Sequence, residues 1–367
     1  MARDMHGGGD ACRSSPPEAG GIAVNARILE RPLSGVQRYL TELLARFGDR
    51  LGSIRPARPL GSMGAHAWEQ LVLPRRTRGA LLWSPSNTGP LSVTRQVVTL
   101  HDVVPLEHPE WLNARFAAWY RFVTPRLARR VRGVIAISEF TRERLVTLTG
   151  VAPERVRVIP NGVDRRFFST TPEQIERARA ALALPASRYV LSLGSLEPRK
   201  NLGRLLRAWD AVQQDLPDDV WLVIAGAPGR SQVFRSIDLQ EAPARVHLAG
   251  RVADELLPGL YAGAMAFAYP SLYEGFGLPP LEAMASGTPV LTGDRTALPE
   301  VVGDAGLLVD PEDVEAIGDG LVRLVLQPDL REDLAGRGLQ RARRFSWEMT
   351  ARETLQFLEA VAADDPA

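Results

Sequence analysis

The chain has 367 residues, 45% hydrophobic and 24% charged, a globular composition with room for two domains of ordinary size. Its 44 Lys and Arg stand against 43 Asp and Glu, so net charge gives no ground for a nucleic-acid partner. A lone cysteine, Cys12, excludes an intrachain disulfide framework and a cysteine-built metal site and fits a reducing compartment, and no apolar run approaches the roughly 18–20 residues that span a bilayer.

Residues 1–20 lack the apolar core of a signal peptide and read as a disordered leader. No strand precedes Gly7–Gly9, so that run is not read as a phosphate loop. From Gly21 onward short β-branched runs alternate with amphipathic segments, the α/β pattern of a parallel sheet covered on both faces. Ile22–Asn25 reads as the first strand. Ser34 and Gly35 then precede an amphipathic helix; Gly35 lets the backbone approach a phosphate closely, and Arg38 lies one turn in. Strands follow at Ala80–Trp83 and Gln96–Leu100, the latter ending in His101 and Asp102. A histidine at a strand's carboxyl end reaches a crevice, where its imidazole can donate to a ligand hydroxyl or to developing charge. A satisfied structural histidine is the alternative.

Trp111–Arg132 interleaves Trp111, Phe116, Trp119, Tyr120 and Phe122 with six arginines. Such a face suits an anionic membrane surface. The favoured reading packs the aromatics in the core and leaves the arginines solvated, because Pro125 interrupts the helix. After the strand Gly133–Ile137, Ser138 is a candidate N-cap. Ile159–Asp164 (IPNGVD) reads mainly as a turn, with Asp164 capping the segment after it, and Arg165–Pro185 is the best linker.

A second strand series begins at Tyr189 and continues through Trp221, Val246, Ala264, Val290–Thr292 and Leu307–Val309. In LSLGSLEPRKN, a strand ends near Gly194 and a helix starts near Asn201, read as its N-cap. Arg199 and Lys200 at that edge can neutralise a diphosphate and stabilise it as a leaving group; a solvated pair is the alternative. Backbone groups near Arg245–Arg251 are expected to read a base. The segment Ser271–Val290 places Glu274 before a helix expected from Pro279 and Glu282 in its first turn. The free N–H groups around Gly275, Phe276, Gly277 and Leu278 suit phosphate. Carboxylates repel a diphosphate, so Glu274 and Glu282 are expected to accept from hydroxyls on either side of it, as on two sugars joined through phosphates; a capping Glu plus a surface Glu is the alternative. Glu300 is a further acid at a helix start, near the same ligand.

The spacing Glu274-x7-Glu282, within YEGFGLPPLEAMASGTPV, resembles the signature of the family 4 retaining glycosyltransferases, which have the GT-B fold. RPLSGVQRYL resembles that family's first loop, with Gln37 in place of its second glycine, and Leu-His-Asp, Ser-Glu-Phe-Thr, IPNGVD and EPRKN come in the expected order between Ile22 and Phe357. The resemblance implies two Rossmann-like doubly wound domains, 21–180 on the acceptor side and 186–345 on the nucleotide-sugar side, with 346–367 a helix crossing back. It implies that Glu274 contacts the donor sugar, Glu282 the ribose, Arg199 and Lys200 the diphosphate, and His101 the donor sugar. Asp102 is expected to orient His101 or serve the acceptor.

The implied reaction moves a sugar, first mannose from GDP-mannose, to a hydroxyl of a glycan or lipid-linked acceptor in surface-polysaccharide assembly. It proceeds with retention and with no cofactor or metal, since no Asp-x-Asp motif appears. The place implied is the cytoplasm or the inner membrane face, with no nucleic-acid partner. A nucleotide-sugar epimerase of the same architecture and a noncatalytic nucleotide-sugar-binding partner are the alternatives. An NAD-dependent dehydrogenase is disfavoured because neither first βα turn carries G-x-G-x-x-G.

Overall fold

The computed structural model describes residues 21–30, 34–77, 79–185, 188–226 and 243–364. The expected leader, residues 1–20 with Cys12 and Gly7–Gly9, lies outside them.

Two six-stranded sheets, parallel throughout, form the frame. The first contains β1 (Ile22–Asn25), β2 (Gly52–Ile54), β3 (Leu81–Ser84), β4 (Gln96–Leu100), β5 (Gly133–Ala136) and β6 (Val156–Val158), in the order β2-β1-β3-β4-β5-β6. The second contains β7 (Arg188–Leu193), β8 (Val220–Ala225), β9 (Val246–Gly250), β10 (Ala266–Tyr269), β11 (Val290–Gly293) and β12 (Gly306–Val309), in the order β12-β11-β10-β7-β8-β9. Every residue of β3, β4, β5, β10 and β11 is buried, because helices cover both faces; this is why these strands read as continuous apolar runs. The strand order reverses beside β1 in one sheet and beside β7 in the other. Ligands of doubly wound sheets collect outside the carboxyl ends of strands at such points.

The chain passes between the two halves twice. The first passage comes after β6, and here the expected linker is not a free connection. Phe167 and Ala178 join the core of the second half, and the helix Pro172–Ala181 packs on the helix Leu257–Ala262. A Cβ on Gly259 would lie 2.2 Å from the Gln174 carbonyl oxygen, so only glycine permits this approach. The first half therefore ends near Val163 and not at 180. The amphipathic pattern of Pro172–Ala181 could not say which sheet would receive its apolar side.

The second passage precedes the helix Trp347–Ala363, whose N-cap Ser346 accepts from Met349 N at 3.2 Å. This helix packs on the helix Gly35–Phe47 and on β1 and β3, which places it on the first half. Trp347 is 1% exposed in that core. The two passages touch. Val163 N donates to the Phe345 carbonyl at 3.2 Å, and a Cβ on Gly162 would fall 2.1 Å from the Trp347 nitrogen. Gly162 thus answers to a close approach of backbone as well as to a turn.

The helix Ala114–Arg130 runs through Pro125 without a break, against expectation. Proline removes the bond to the Arg121 carbonyl, and Arg121 is exposed, so water can serve that oxygen. Trp111, Phe116 and Trp119 are half-buried against the core and Tyr120 stacks on Phe116, whereas Phe122 is 47% exposed beneath the Arg126 guanidinium. Among the described residues no helix is long and apolar enough to cross a membrane.

Candidate active site

β10 delivers the segment Ser271–Gly277 to the carboxyl edge of the second sheet, and the helix Leu278–Ala285 starts from it. Gly277 begins that helix at φ 115°, in the region that favours glycine. Pro279 and Pro280 occupy the first turn, where a missing N–H costs nothing. Glu282 is the fifth residue of the helix rather than a first-turn acid, because the helix begins at Leu278 and the prolines take the first turn themselves.

Glu274 is 6% exposed and fully engaged. Its Oε1 accepts from Lys200 Nζ at 2.7 Å, Tyr269 OH at 2.8 Å and Ser271 Oγ at 2.8 Å; its Oε2 accepts from Arg199 Nη1 at 2.8 Å. Burial alone would raise this carboxyl, but the two cations outweigh it and bring it down to about 2. Lys200 is itself buried and lowered, by desolvation and by its neighbour Arg199, with Glu274 opposing. Burial acts to lower Arg199, yet Glu274 and Glu197 hold it above its ordinary value, and Glu197 Oε2 accepts from its Nε at 2.8 Å. The result is a charge-compensated knot of two cations and two carboxylates where the carboxyl ends of β7 and β10 lie side by side. Asn201 does not cap the next helix. It stands at φ 61° and its side chain donates to the Pro270 and Pro311 carbonyls at 2.9 and 2.5 Å, tying the knot to β10.

Glu282, also 6% exposed, faces the other half. Its Oε1 accepts from Arg38 Nη1 at 3.0 Å and its Oε2 from Tyr261 OH at 3.1 Å. Arg38 also pairs with Asp254, and Asp254 with Arg166 at 2.6 Å. Burial raises Glu282 more than Arg38 lowers it. Gly35, the first residue of its helix, lies opposite Leu278, with only ordinary contact distance to a hypothetical Cβ.

The loop holding Gly275 meets the first half directly. A Cβ there would come within 1.8 Å of the His101 carbonyl oxygen, so the position admits glycine alone. The Gly275 carbonyl accepts from Ser138 Oγ at 2.7 Å and from Thr141 Oγ1 at 3.1 Å. Ser138 also caps its helix as expected, accepting from Thr141 N at 3.0 Å. Phe276 turns its ring away into the second core, against Phe345, so only its backbone faces the crevice.

His101 is 7% exposed, and burial lowers it to about 4. Its Nε2 lies 2.8 Å from the Pro85 carbonyl, an acceptor, so the ring's proton is committed there and Nδ1 is left as an acceptor. The expected donor role is thereby reversed: the neutral ring offers a lone pair. No hydrogen bond joins Asp102 to His101 among the described residues; Asp102 Oδ1 accepts from Val104 N at 3.3 Å. Burial raises Asp102, with Arg199 opposing. Glu300 makes its contacts across the halves. It accepts from Glu139 N at 3.0 Å and Phe140 N at 3.3 Å, so it meets the N-terminus of a helix in the opposite half. A carboxylate is stabilised at a helix start in either chain segment, and the sequence could not show which.

Of the expected residues, Glu274, Arg199 and Lys200 form one cluster, Glu282 and Arg38 a second, and His101, Asp102 and Gly275 adjoin one another. Tyr269, Ser271, Glu197, Tyr261 and Asp254 went unread. Tyr269 and Ser271 flank Pro270 at the end of a strand already singled out, and that was the available signal. Arg245 sits at the amino end of β9, donating to the Pro217 carbonyl at 2.7 Å, so within Arg245–Arg251 only the Gly250 end reaches the ligand edge.

Residues 174–341 match the profile of Glycosyl transferases group 1, and residues 79–167 that of Glycosyltransferase Family 4. The chain is 31% identical over 295 residues to the O-antigen chain mannosyltransferase B of Escherichia coli, covering 78% of this chain and 77% of the relative. It is 30% identical over 272 residues to the serotype-specific mannosyltransferase WbdA of the same species, spanning 33% of that longer protein. It is also 38% identical over 231 residues to a D-inositol 3-phosphate glycosyltransferase of Salinispora tropica, covering 57% of this chain and 47% of the relative. The Anabaena HepE structure in complex with UDP and glucose superposes with a TM-score of 0.71 at 20% identity, covering 93% of this chain and 99% of that one. WaaG, a glycosyltransferase involved in lipopolysaccharide biosynthesis, gives 0.67 at 17% identity, covering 92% and 99%.

Proposed function

Because the chain belongs to family 4 of the glycosyltransferases and has the GT-B fold, we propose that it moves mannose from GDP-mannose, with retention, to a hydroxyl of a glycan or lipid-linked acceptor in surface-polysaccharide assembly. The observation that carries this reading is the buried knot of Glu274, Arg199 and Lys200 at the adjoining carboxyl ends of β7 and β10, with Asp102 of the first half beside Arg199. Mannose is favoured over other hexoses by the mannosyltransferase relatives.

In this reading Arg199 and Lys200 turn toward the donor diphosphate, with the free N–H groups at the start of the Leu278 helix. Glu274, ionised and therefore an acceptor only, takes hydrogen bonds from hydroxyls of the transferred sugar. Glu282 exchanges Arg38 for the ribose hydroxyls. The bond from the anomeric carbon to the diphosphate oxygen breaks, and the acceptor oxygen bonds to that carbon on the same face. The acceptor's proton passes to an oxygen of the departing diphosphate, whose charge the two cations stabilise. No metal ion takes part.

Thermal shifts with GDP-, UDP-, dTDP- and ADP-sugars test this directly, since a ligand of the native state raises its stability. We expect a shift with the GDP-sugar, unchanged by a chelator and lost in Glu282→Ala. A shift confined to another nucleotide would replace the donor, and one abolished by the chelator would overturn the metal-independent step.

A further inference from the structure

The helices Ser62–Leu71 and Ala114–Arg130 lie side by side on one face of the first sheet, where the His66 ring meets those of Trp119 and Tyr120 at 5.5 and 6.2 Å between centres. Trp68 of the first helix packs inward with Ala23 and Leu82, and Ala117, Val123 and Leu127 of the second with Val98 and Leu100. The outer sides of both helices therefore point away from the same sheet. On the first helix that outer side is apolar. Met63, Ala67 and Leu71 follow one another at a spacing of four, which makes a single stripe, and all three are exposed. Met63 at 83% and Leu71 at 62% are the two most exposed large hydrophobic side chains among the described residues. Phe122 adds a third on the second helix.

The charge on this face has one sign. Residues 111–132 hold six arginines and no acid, and residues 51–80 hold five arginines and one acid, Glu69, which is buried and paired with Arg27. Arg115, Arg121, Arg126, Arg129 and Arg130 are exposed on the second helix, and Arg75 and Arg76 just beyond the first. Acids resume past these segments, with Glu110 beside His108 at 3.0 Å and with Glu139 and Glu143 on the adjoining helix Glu139–Thr149. The whole chain is balanced to within one charge, so this face is set apart by its sign. A nucleic acid would meet the arginines and leave Met63 and Leu71 in water. An anionic bilayer takes both, its phosphates at the guanidiniums and its interface at the apolar stripe. Trp111, Phe116 and Trp119 are not the anchors, because they pack in the core; the neighbouring helix supplies the apolar part.

We infer that this face rests on an anionic lipid surface, with Met63, Leu71 and Phe122 entering the interface and the arginines meeting lipid phosphates. Both helices start from the carboxyl edge of the first sheet, the edge that carries His101, and run back from it as crossovers of a parallel sheet do. The crevice then lies at the rim of the docked face, where an acceptor headgroup enters it with its lipid tail still in the bilayer. That last step rests on the reading of the acceptor as lipid-linked; the docking itself does not.

Flotation of the full chain with vesicles of phosphatidylcholine alone, and of phosphatidylcholine mixed with phosphatidylglycerol, tests the docking. The wild type should float with the anionic vesicles and not with the neutral ones, and less so at high salt. Arg121→Gln combined with Arg129→Gln should lower the partition coefficient about thirtyfold, since two surface cations are lost. Met63→Ser combined with Leu71→Ser should lower it about tenfold. All four side chains are exposed, so both double variants should keep the wild-type melting temperature. Heparin, a polyanion without a bilayer, separates the two sources of negative charge: the Met63 and Leu71 variant should bind it as the wild type does. Absence of flotation with anionic vesicles, equal flotation with neutral ones, or unchanged flotation of the Met63 and Leu71 variant overturns the lipid surface. The last result beside tight heparin binding would assign the face to a nucleic acid instead. No nucleotide sugar enters this experiment, so its failure and that of the donor assignment are read separately.

Discussion

Gly275 shows how much a single missing methyl can decide. Its Cα sits against the His101 carbonyl, so Gly275→Ala must push apart the two walls of the crevice, and the nearest contact is backbone rather than the end of a flexible side chain. We expect kcat/KM to fall by about a hundredfold, as for a displacement of roughly 1 Å at a reacting centre. An alanine variant with wild-type kinetics would remove Gly275 from the site. The buried titratable groups set a second expectation. His101 falls from 6.5 to about 4 on folding, so the unfolded chain binds more protons between those values, and stability declines as pH drops through that window. Glu274 falls from 4.5 to about 2, so its contribution is present above 4.5 and is lost from there down to about 2. Each amounts to about 3 kcal/mol. Urea titrations should therefore show a decline starting near the ordinary histidine value, and His101→Phe should remove its first part. If that variant retains the same decline from neutral pH, the histidine is not its source. The local strand-to-helix pattern places Arg199 and Lys200 after β7 and Glu274 after β10, whereas their pairing across some 75 positions has no local trace. The reversed proton on His101 was not legible either, since it depends on the carbonyl of Pro85, distant in sequence and unmarked by any side chain.

Among elements, the parallel strands were the easiest to read, because burial on both faces leaves uninterrupted apolar runs such as β4 and β10. Helices were harder. An amphipathic period tells that one side is buried and leaves open against what, so periodicity assigns neither Pro172–Ala181 nor Trp347–Ala363 to a half; the resemblance puts the first in the first half, where it does not pack, and carries the second back to that half, where it does. Pro125 misled for a different reason: the cost of proline depends on whether the orphaned carbonyl reaches water, a property of the folded surface. The placement of the Trp347 helix has a measurable consequence. Trp347 is among the largest fully buried side chains and touches Tyr39 edge-on, with ring centres 6.2 Å apart. Trp347→Ala should destabilise the protein by about 3–5 kcal/mol. Hydrogen exchange should report the loss in β1 and β3, at the opposite end of the chain from the substitution. Exchange confined to the second sheet would contradict that docking.

Across the whole molecule, contacts between the halves are drawn from residues far apart in sequence. Arg38 and Glu282 are separated by 244 positions, Tyr273 and Glu107 by 166, and Glu300 and Glu139 by 161. The fold class and the order of motifs could be read from local pattern, whereas pairings at this range have no local trace. Most of these contacts are polar, and polar contacts can be exchanged for those of a ligand at small net cost. The covalent passages behave otherwise. Gly162 lies against the backbone of Trp347, and Val163 is bonded to Phe345, so the outgoing and returning segments run side by side as a double strap. A single strap would let one half spin or slide over the other. Two straps fastened together leave one easy motion, a swing about the seam, with the strand edges that carry Glu274 and His101 as the jaws. The position of Gly162 thus fixes the path along which the jaws part and meet, and one proteolytic nick in either strap would leave the halves still joined by the other.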